Sequence, residues 1–183
     1  MVTKVYGTQG VDKVQDNVIA TADLQDGAVT AAKIASGVAG TGPAFSAYLP
    51  SNQTISSATW TKVTLSAEDF DTANCFNTST YQFTPTVAGY YSITGSVYGG
   101  AGGNLQNFFV RISKNGTSVS EFGDAYTSAI LDDGFRSNTM LVYLNGSTDY
   151  MELYAYQTGG ATGLYGNGSN PSTRLSGFLA RAA

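Results

Sequence analysis

The sequence contains no histidine, and its single cysteine, Cys75, has no second thiol with which to form an intrachain disulfide. Both absences narrow the chemistry. A Ser or Cys nucleophile would need a lysine or carboxylate as its base, and no recognised spacing supplies one. Cys75 reads instead as a small buried hydrophobe in a strand-rich chain. Charge is scarce as well: Asp, Glu, Lys and Arg make up 12% of the 183 residues, about half the usual share. The nine Lys and Arg are scattered and the net charge is −4, so the basic footprint of a nucleic-acid binder is missing. No apolar run reaches the length of a membrane span, and Met1–Tyr6 lacks the apolar stretch of a signal peptide. The expectation is synthesis in a cytoplasm without export, with neither nucleic acid nor membrane as partner. The Asn-x-Ser/Thr sequences at Asn115 and Asn145 then read as turns rather than glycan sites.

What the chain does have is 42% hydrophobic residues, enough for a real core, and polarity carried by Ser, Thr, Asn, Gln and Gly. Composition shifts near Gly40-Thr41-Gly42-Pro43. Before it, Tyr6 is the only aromatic; after it, Phe, Tyr and Trp are dense. The chain is therefore expected to divide into an arm, residues 1–42, and a head, residues 43–183. The arm holds an imperfect ten-residue repeat: Ile19-Ala20-Thr21-Ala22-Asp23-Leu24 returns as Val29-Thr30-Ala31-Ala32-Lys33-Ile34, across the turn-forming Asp26-Gly27. Two aliphatics per copy are too few to pack alone. The segment reads as a flexible linker or as a stalk that orders when chains supply each other's core. Ile19, Leu24, Val29 and Ile34 are the candidate attachment contacts.

From Ala44 onward the pattern is strand and turn. Tyr91, Ile93 and Val97 alternate onto one face, as do Phe108, Val110 and Ile112. Asn115-Gly116 is a strong hairpin signal, because both residues tolerate positive φ. Met140–Leu144, Tyr150–Tyr156 and Arg174–Leu179 complete a series without a convincing helix, which predicts an all-β sandwich or barrel.

Four segments, in order, resemble the heads of the C1q family. Pro43-Ala44-Phe45-Ser46-Ala47 is similar to their opening strand. Phe83-Thr84-Pro85-Thr86-Val87-Ala88-Gly89-Tyr90-Tyr91 resembles their F-x-x-P-x-x-G-x-Y segment. Val110-Arg111-Ile112-Ser113-Lys114-Asn115-Gly116 resembles the next strand and turn, and Thr173–Leu179 the closing strand. The resemblance implies a C1q/TNF-like jelly-roll sandwich of about ten strands that assembles as a tight homotrimer. The arm segment Thr21–Ile34 is similar to segments of bacteriophage tail-fibre proteins, and no collagen-like Gly-x-y run is present. Arm and head together imply a virion fibre rather than the partners of the animal family.

Other constellations are weaker signals. Glu68-Asp69-Phe70-Asp71 and Asp132-Asp133 are carboxylate pairs of the kind glycoside hydrolysis uses, but in a Gly-rich sandwich they read as solvated turn acids. Some C1q-like trimers bind calcium on apex loops, which makes Asp132 and Asp133 the candidate metal ligands. Neither they nor Asp69, Asp71 and Asn74 follow a dedicated calcium motif. The Gly-rich stretch Tyr98–Asn104 lacks the Lys-Ser/Thr ending of a phosphate cradle. With Thr158–Gly168 it reads as exposed loop, in which Tyr98, Asn104, Tyr165 and Asn167 are candidate receptor contacts. Tyr150, Tyr154 and Tyr156 share a face opposite Met151, Leu153 and Ala155. A sandwich has one core, so this second apolar face predicts a trimer axis, with Tyr91 and Phe178 joining either layer. The reading is a non-enzymatic, homotrimeric virion surface fibre or decoration protein. Its arm docks on a capsid or tail protein, and its head caps the fibre or contacts a host-surface glycan or protein. The alternatives are a secreted carbohydrate-binding module and a polysaccharide hydrolase.

Overall fold

The computed structural model describes residues 42–100, 105–125, 133–160 and 163–183. The arm positions Ile19, Leu24, Val29 and Ile34, and the loop residues Asn104 and Asp132, lie outside these.

Among the described residues the elements are all strands, in the order β1 (Ala44–Tyr48), β2 (Gln53–Thr54), β3 (Thr61–Lys62), β4 (Ala67–Asp71), β5 (Phe76–Asn77), β6 (Gln82–Phe83), β7 (Ala88–Gly99), β8 (Leu105–Lys114), β9 (Thr117–Ala125), β10 (Gly134–Asn145), β11 (Met151–Gly159), β12 (Gly163–Leu164) and β13 (Arg174–Ala182). Five of these are two-residue bridges, which is why the count exceeds the expected ten. One sheet runs β2-β12-β7-β13-β1-β4, with β10 on the other side of β7; the second runs β5-β6-β11-β8-β9, with β3 also on β11. All strand pairs are antiparallel.

The two sheets face each other through the apolar sides that alternation predicts. Phe45, Tyr91, Ile93, Val97, Leu175 and Leu179 come from the first sheet; Phe108, Val110, Ile112, Met151, Leu153 and Ala155 come from the second. Aromatic contacts knit one end of this core. Phe45 stacks on Phe83 with ring centroids 4.0 Å apart, and Phe83 meets Tyr91 edge-on at 5.7 Å. The segment Phe83–Tyr91 acquires a physical meaning here. Its first and last rings touch, Pro85 is buried, and the Tyr91 hydroxyl donates 2.7 Å to the Val87 carbonyl. Burial, with the nearby Cys75 adding to it, pushes the Tyr91 hydroxyl pKa up to about 12. Cys75 is itself buried.

Two hairpins follow the sequence signals in different ways. Asn115 and Gly116 both adopt positive φ, 53° and 76°, as a two-residue hairpin loop demands. At the second site only Gly146 is left-handed, at 71°. Asn145 stays extended and uses its side-chain oxygen to accept from the backbone N–H groups of Ser147, Thr148 and Asp149.

Candidate functional site

The outer faces of the two sheets differ, and the difference locates the candidate surfaces. On the second sheet, Tyr150 just before β11 and Glu152, Tyr154 and Tyr156 within it alternate outward. Glu152 is nearly inaccessible, at 4%, and its carboxylate accepts from Lys62 Nζ, Gln82 Nε2 and the Tyr154 hydroxyl. Burial, reinforced by the Glu152 charge, raises the Tyr154 pKa. Tyr156 lies 5.3 Å from Trp60 and 6.2 Å from Phe109, centroid to centroid. Arg111 covers the Trp60 ring at 3.6 Å and bonds Glu121 at 2.7 Å. Tyr154 and Tyr156, two of the tyrosines predicted to line a trimer axis, are thus half-buried among partners of their own subunit.

Among the described residues, the outer face of the first sheet is exposed. Registry across β13, β7 and β10 aligns Phe178, Ser92 and Leu141 in one row and Tyr90 with Tyr143 in the next. Leu141 is 68% exposed, Phe178 54%, and Phe70, Phe135, Tyr90 and Tyr143 are likewise exposed. Between them the surface is small and hydroxylic: Ser46, Ser176, Thr94 and Thr139 form one row, and Thr94 and Thr139 hydrogen-bond at 2.8 Å. A shallow groove of about 290 Å³ runs between Phe70 and Phe178 over Ser92, Thr94 and Ser176. Phe178 alone of the five predicted trimer residues lies on this face. Tyr91, placed by its parity in the strand, is fully enclosed in the core. On the adjoining side of the sandwich, edge strand β9 exposes Val119 and Phe122. It is tied there to β10 by Arg136–Asp124 at 3.1 Å and by the Asn138 amide on Ser120 at 2.5 Å.

The third region is the end of the sandwich where β7 finishes. Tyr98 and Tyr165 sit with ring centroids 4.8 Å apart, and with Gly166, Asn167, Asn170 and Ser172 they line a pocket of about 280 Å³. The structure brings three predicted receptor residues together here: Tyr98, Tyr165 and Asn167. Asp133, a candidate metal ligand, accepts a 2.6 Å hydrogen bond from the Tyr98 hydroxyl. That bond is the main reason the Tyr98 pKa is raised. Asp69 accepts from Ser46 and pairs with Arg174, and Asp71 accepts from the N–H groups of Ala73 and Phe76. Among the described residues no group of three metal-ligating side chains comes together. Sequence reading missed Asn170 and Ser172, whose only signal was membership of the same Asn/Ser/Gly-rich loop.

The fold recurs in known proteins. The C1q domain matches residues 44–180. The globular domain of zebrafish complement 1qA protein superposes with a TM-score of 0.55 at 16% identity, covering 78% of this chain and 99% of that one. The Eiger TNF of S. frugiperda gives 0.54 at 10% identity, covering 77% and 95%. PRD1 vertex protein P5 is a weaker match, at 0.49 and 17% identity over 75% and 96%, and it does not bear on function. No curated protein matches the sequence significantly. At these identities the structures share the fold alone. The domain match, however, spans most of the chain, and the chain belongs to the C1q-domain family, with a C1q/TNF-type jelly roll.

Proposed function

We propose that the chain is a homotrimeric structural protein of a virion surface, a fibre or decoration head that its arm docks onto the particle and that performs no catalysis. C1q and TNF domains typically form homotrimers and are typically non-catalytic. The observation that carries assembly is the outer face of the first sheet, where Leu141, Phe178, Phe70, Tyr90 and Tyr143 stand exposed and a largely apolar groove runs between Phe70 and Phe178. Scattered apolar residues are ordinary on a surface, but a contiguous set calls for a partner. A second, different patch, Val119 and Phe122 on the β9 edge, suits a head-to-tail contact, which closes into a ring when its rotation allows. The virion role rests on the likeness of the arm segment Thr21–Ile34 to phage fibre sequences, a segment without a collagen-like Gly-x-y run.

Light scattering on the full chain should return about three times its 19.1 kDa mass; a monomer at micromolar concentration would overturn the assembly. Head protein starting at Pro43 should still trimerise, because it loses little core, but should not decorate particles. Decoration at normal occupancy by that truncated head would move attachment from the arm to the head.

A further inference from the structure

The pocket that the packed pair Tyr98 and Tyr165 lines together with Asn167, Asn170 and Ser172 has the composition of a sugar site, and we propose that it binds one neutral hexopyranose unit. The proposal deepens the receptor-contact part of the reading above, and its single-site affinity does not depend on trimerisation. A pyranose presents an apolar face of C–H bonds and a rim of hydroxyls. Its natural complement is an aromatic surface beside uncharged hydrogen-bonding groups. Tyr98 and Tyr165 supply the surface, at 4.8 Å and 40° between rings. Asn167, Asn170 and Ser172 supply amides and a hydroxyl on the same wall. The volume, about 280 Å³, is just under the roughly 300 Å³ at which pockets for drug-sized ligands begin.

The walls are built before any ligand arrives. Tyr98 is pinned through its hydroxyl to Asp133 at 2.6 Å. The facing loop is fastened by Tyr165 N–H to the Tyr98 carbonyl at 2.7 Å, Asn167 N–H to the Leu49 carbonyl at 3.1 Å, and Gly166 N–H to the Asn52 side chain at 3.0 Å. Thr173 Oγ1, fully buried, donates to the Tyr165 carbonyl and accepts from Tyr98 N–H. Loop residues held this firmly lose little entropy when they bind.

Charge selects the sugar class. No lysine or arginine is among the lining residues, and the Asp133 carboxylate borders Tyr98. Arg174, two residues beyond Ser172, is tied to the Pro171 carbonyl and Asp69. Uronic, sialic and phosphorylated sugars would meet a negative neighbour without a cation to hold them. Position agrees with recognition. Residues 42 and 43 and the C-terminus enter the fold at the Gly89 end of β7, since Pro43 carbonyl bonds Leu179 and Ala182 pairs with Gly89. Tyr98 lies nine residues further along the strand, roughly 30 Å away.

The test is saturation-transfer NMR on the full chain with methyl glucopyranoside, methyl galactopyranoside, N-acetylglucosamine and glucuronic acid, together with dextran as a polymeric glucose source. At least one neutral sugar should receive saturation, strongest on its ring C–H protons, and glucuronic acid should receive none. Tyr165→Ala and Asn170→Ala should each weaken the response at least tenfold while melting at the wild-type temperature. Binding to dextran more than tenfold tighter than to the methyl glycoside would identify a surface polysaccharide as the source; equal affinity would identify the free sugar. No transfer to any neutral sugar, transfer unchanged in both variants, or preference for glucuronic acid would each overturn the site. Because light scattering reads assembly separately, a trimer that binds no sugar sinks this inference alone. A sugar-binding monomer sinks the assembly alone.

Discussion

The two outer faces of the sandwich start from similar material and end in different states. Each carries tyrosines on alternating strand positions; on the second sheet Tyr154 and Tyr156 are half-buried among neighbours of their own subunit, whereas on the first Tyr90 and Tyr143 touch each other yet stay exposed. Trp60, Lys62 and Arg111 reach over β11 and β8 and convert Tyr154, Tyr156 and Glu152 into a closed polar and aromatic network. Among the described residues Leu141 of β10 and Phe178 of β13 remain exposed. Alternation alone therefore does not say how far an outward strand face is covered; elements distant in sequence decide that.

The sharpest way to break this comparison is to place a charge on each face in turn. Leu141→Asp should turn a trimer into monomers, because an unpaired carboxylate in the contact costs roughly 3 kcal/mol, more than about a hundredfold in association. Tyr154→Asp should leave the trimer intact while lowering the melting temperature, since the new charge lies beside Glu152. Light scattering of both proteins decides; the reverse pattern would return the interface to the β11 face. Trp60, the sole tryptophan, sits on the covered face, so its emission should not change when Leu141→Asp dissociates the subunits.

A second test removes the cover itself. Lys62→Met strips the cation from the nearly inaccessible Glu152. Lys62 is itself 27% exposed, so water screens part of the pair, and the expected cost is about 2 kcal/mol rather than the larger loss of a fully buried pair. Urea melts should show a lower midpoint with an unchanged trimer mass. An unchanged midpoint would mean that Glu152 is satisfied by Gln82 and Tyr154 alone.

The smallest expected effect lies where the regions are joined. Lys114, at the end of β8, donates to the Tyr143 carbonyl of β10 and pairs with Asp149 at 2.9 Å. Burial pushes the Asp149 carboxyl up, but hydrogen bonds from Lys114, Asn115 and the Asn145 N–H outweigh it and hold its pKa below the ordinary 3.8. A depressed carboxylate pKa contributes stability that is present above the unfolded value and lost as pH falls through the folded one. Wild type should therefore lose melting temperature below about pH 4 more steeply than Asp149→Asn. Parallel acid limbs would remove Asp149 from the joint.

Much of the head was legible because its signals are local. Period-two alternation placed Ile93, Val97, Phe108, Val110, Ile112 and Leu153 in the core, and Asn115-Gly116 announced a turn that only residues tolerant of positive φ accept. The grouping of Tyr98, Tyr165 and Asn167 was half legible. Loop composition suggested each of them, while their meeting depends on β12 pairing with the end of β7. The surroundings of the outward tyrosines were the least legible, because alternation says that Tyr154 faces away from the core but not what lies over it.

By itself, then, the sequence determined the strands, the turns between them, the all-β class and the poverty of catalytic groups, since each follows from neighbours a few residues apart. Tertiary structure alone decided which apolar face stays uncovered and which loop tyrosines share a pocket. Those outcomes are set by contacts such as Lys62 with Glu152 and Tyr98 with Tyr165. Such contacts form between residues far apart in the chain, and no local pattern records them.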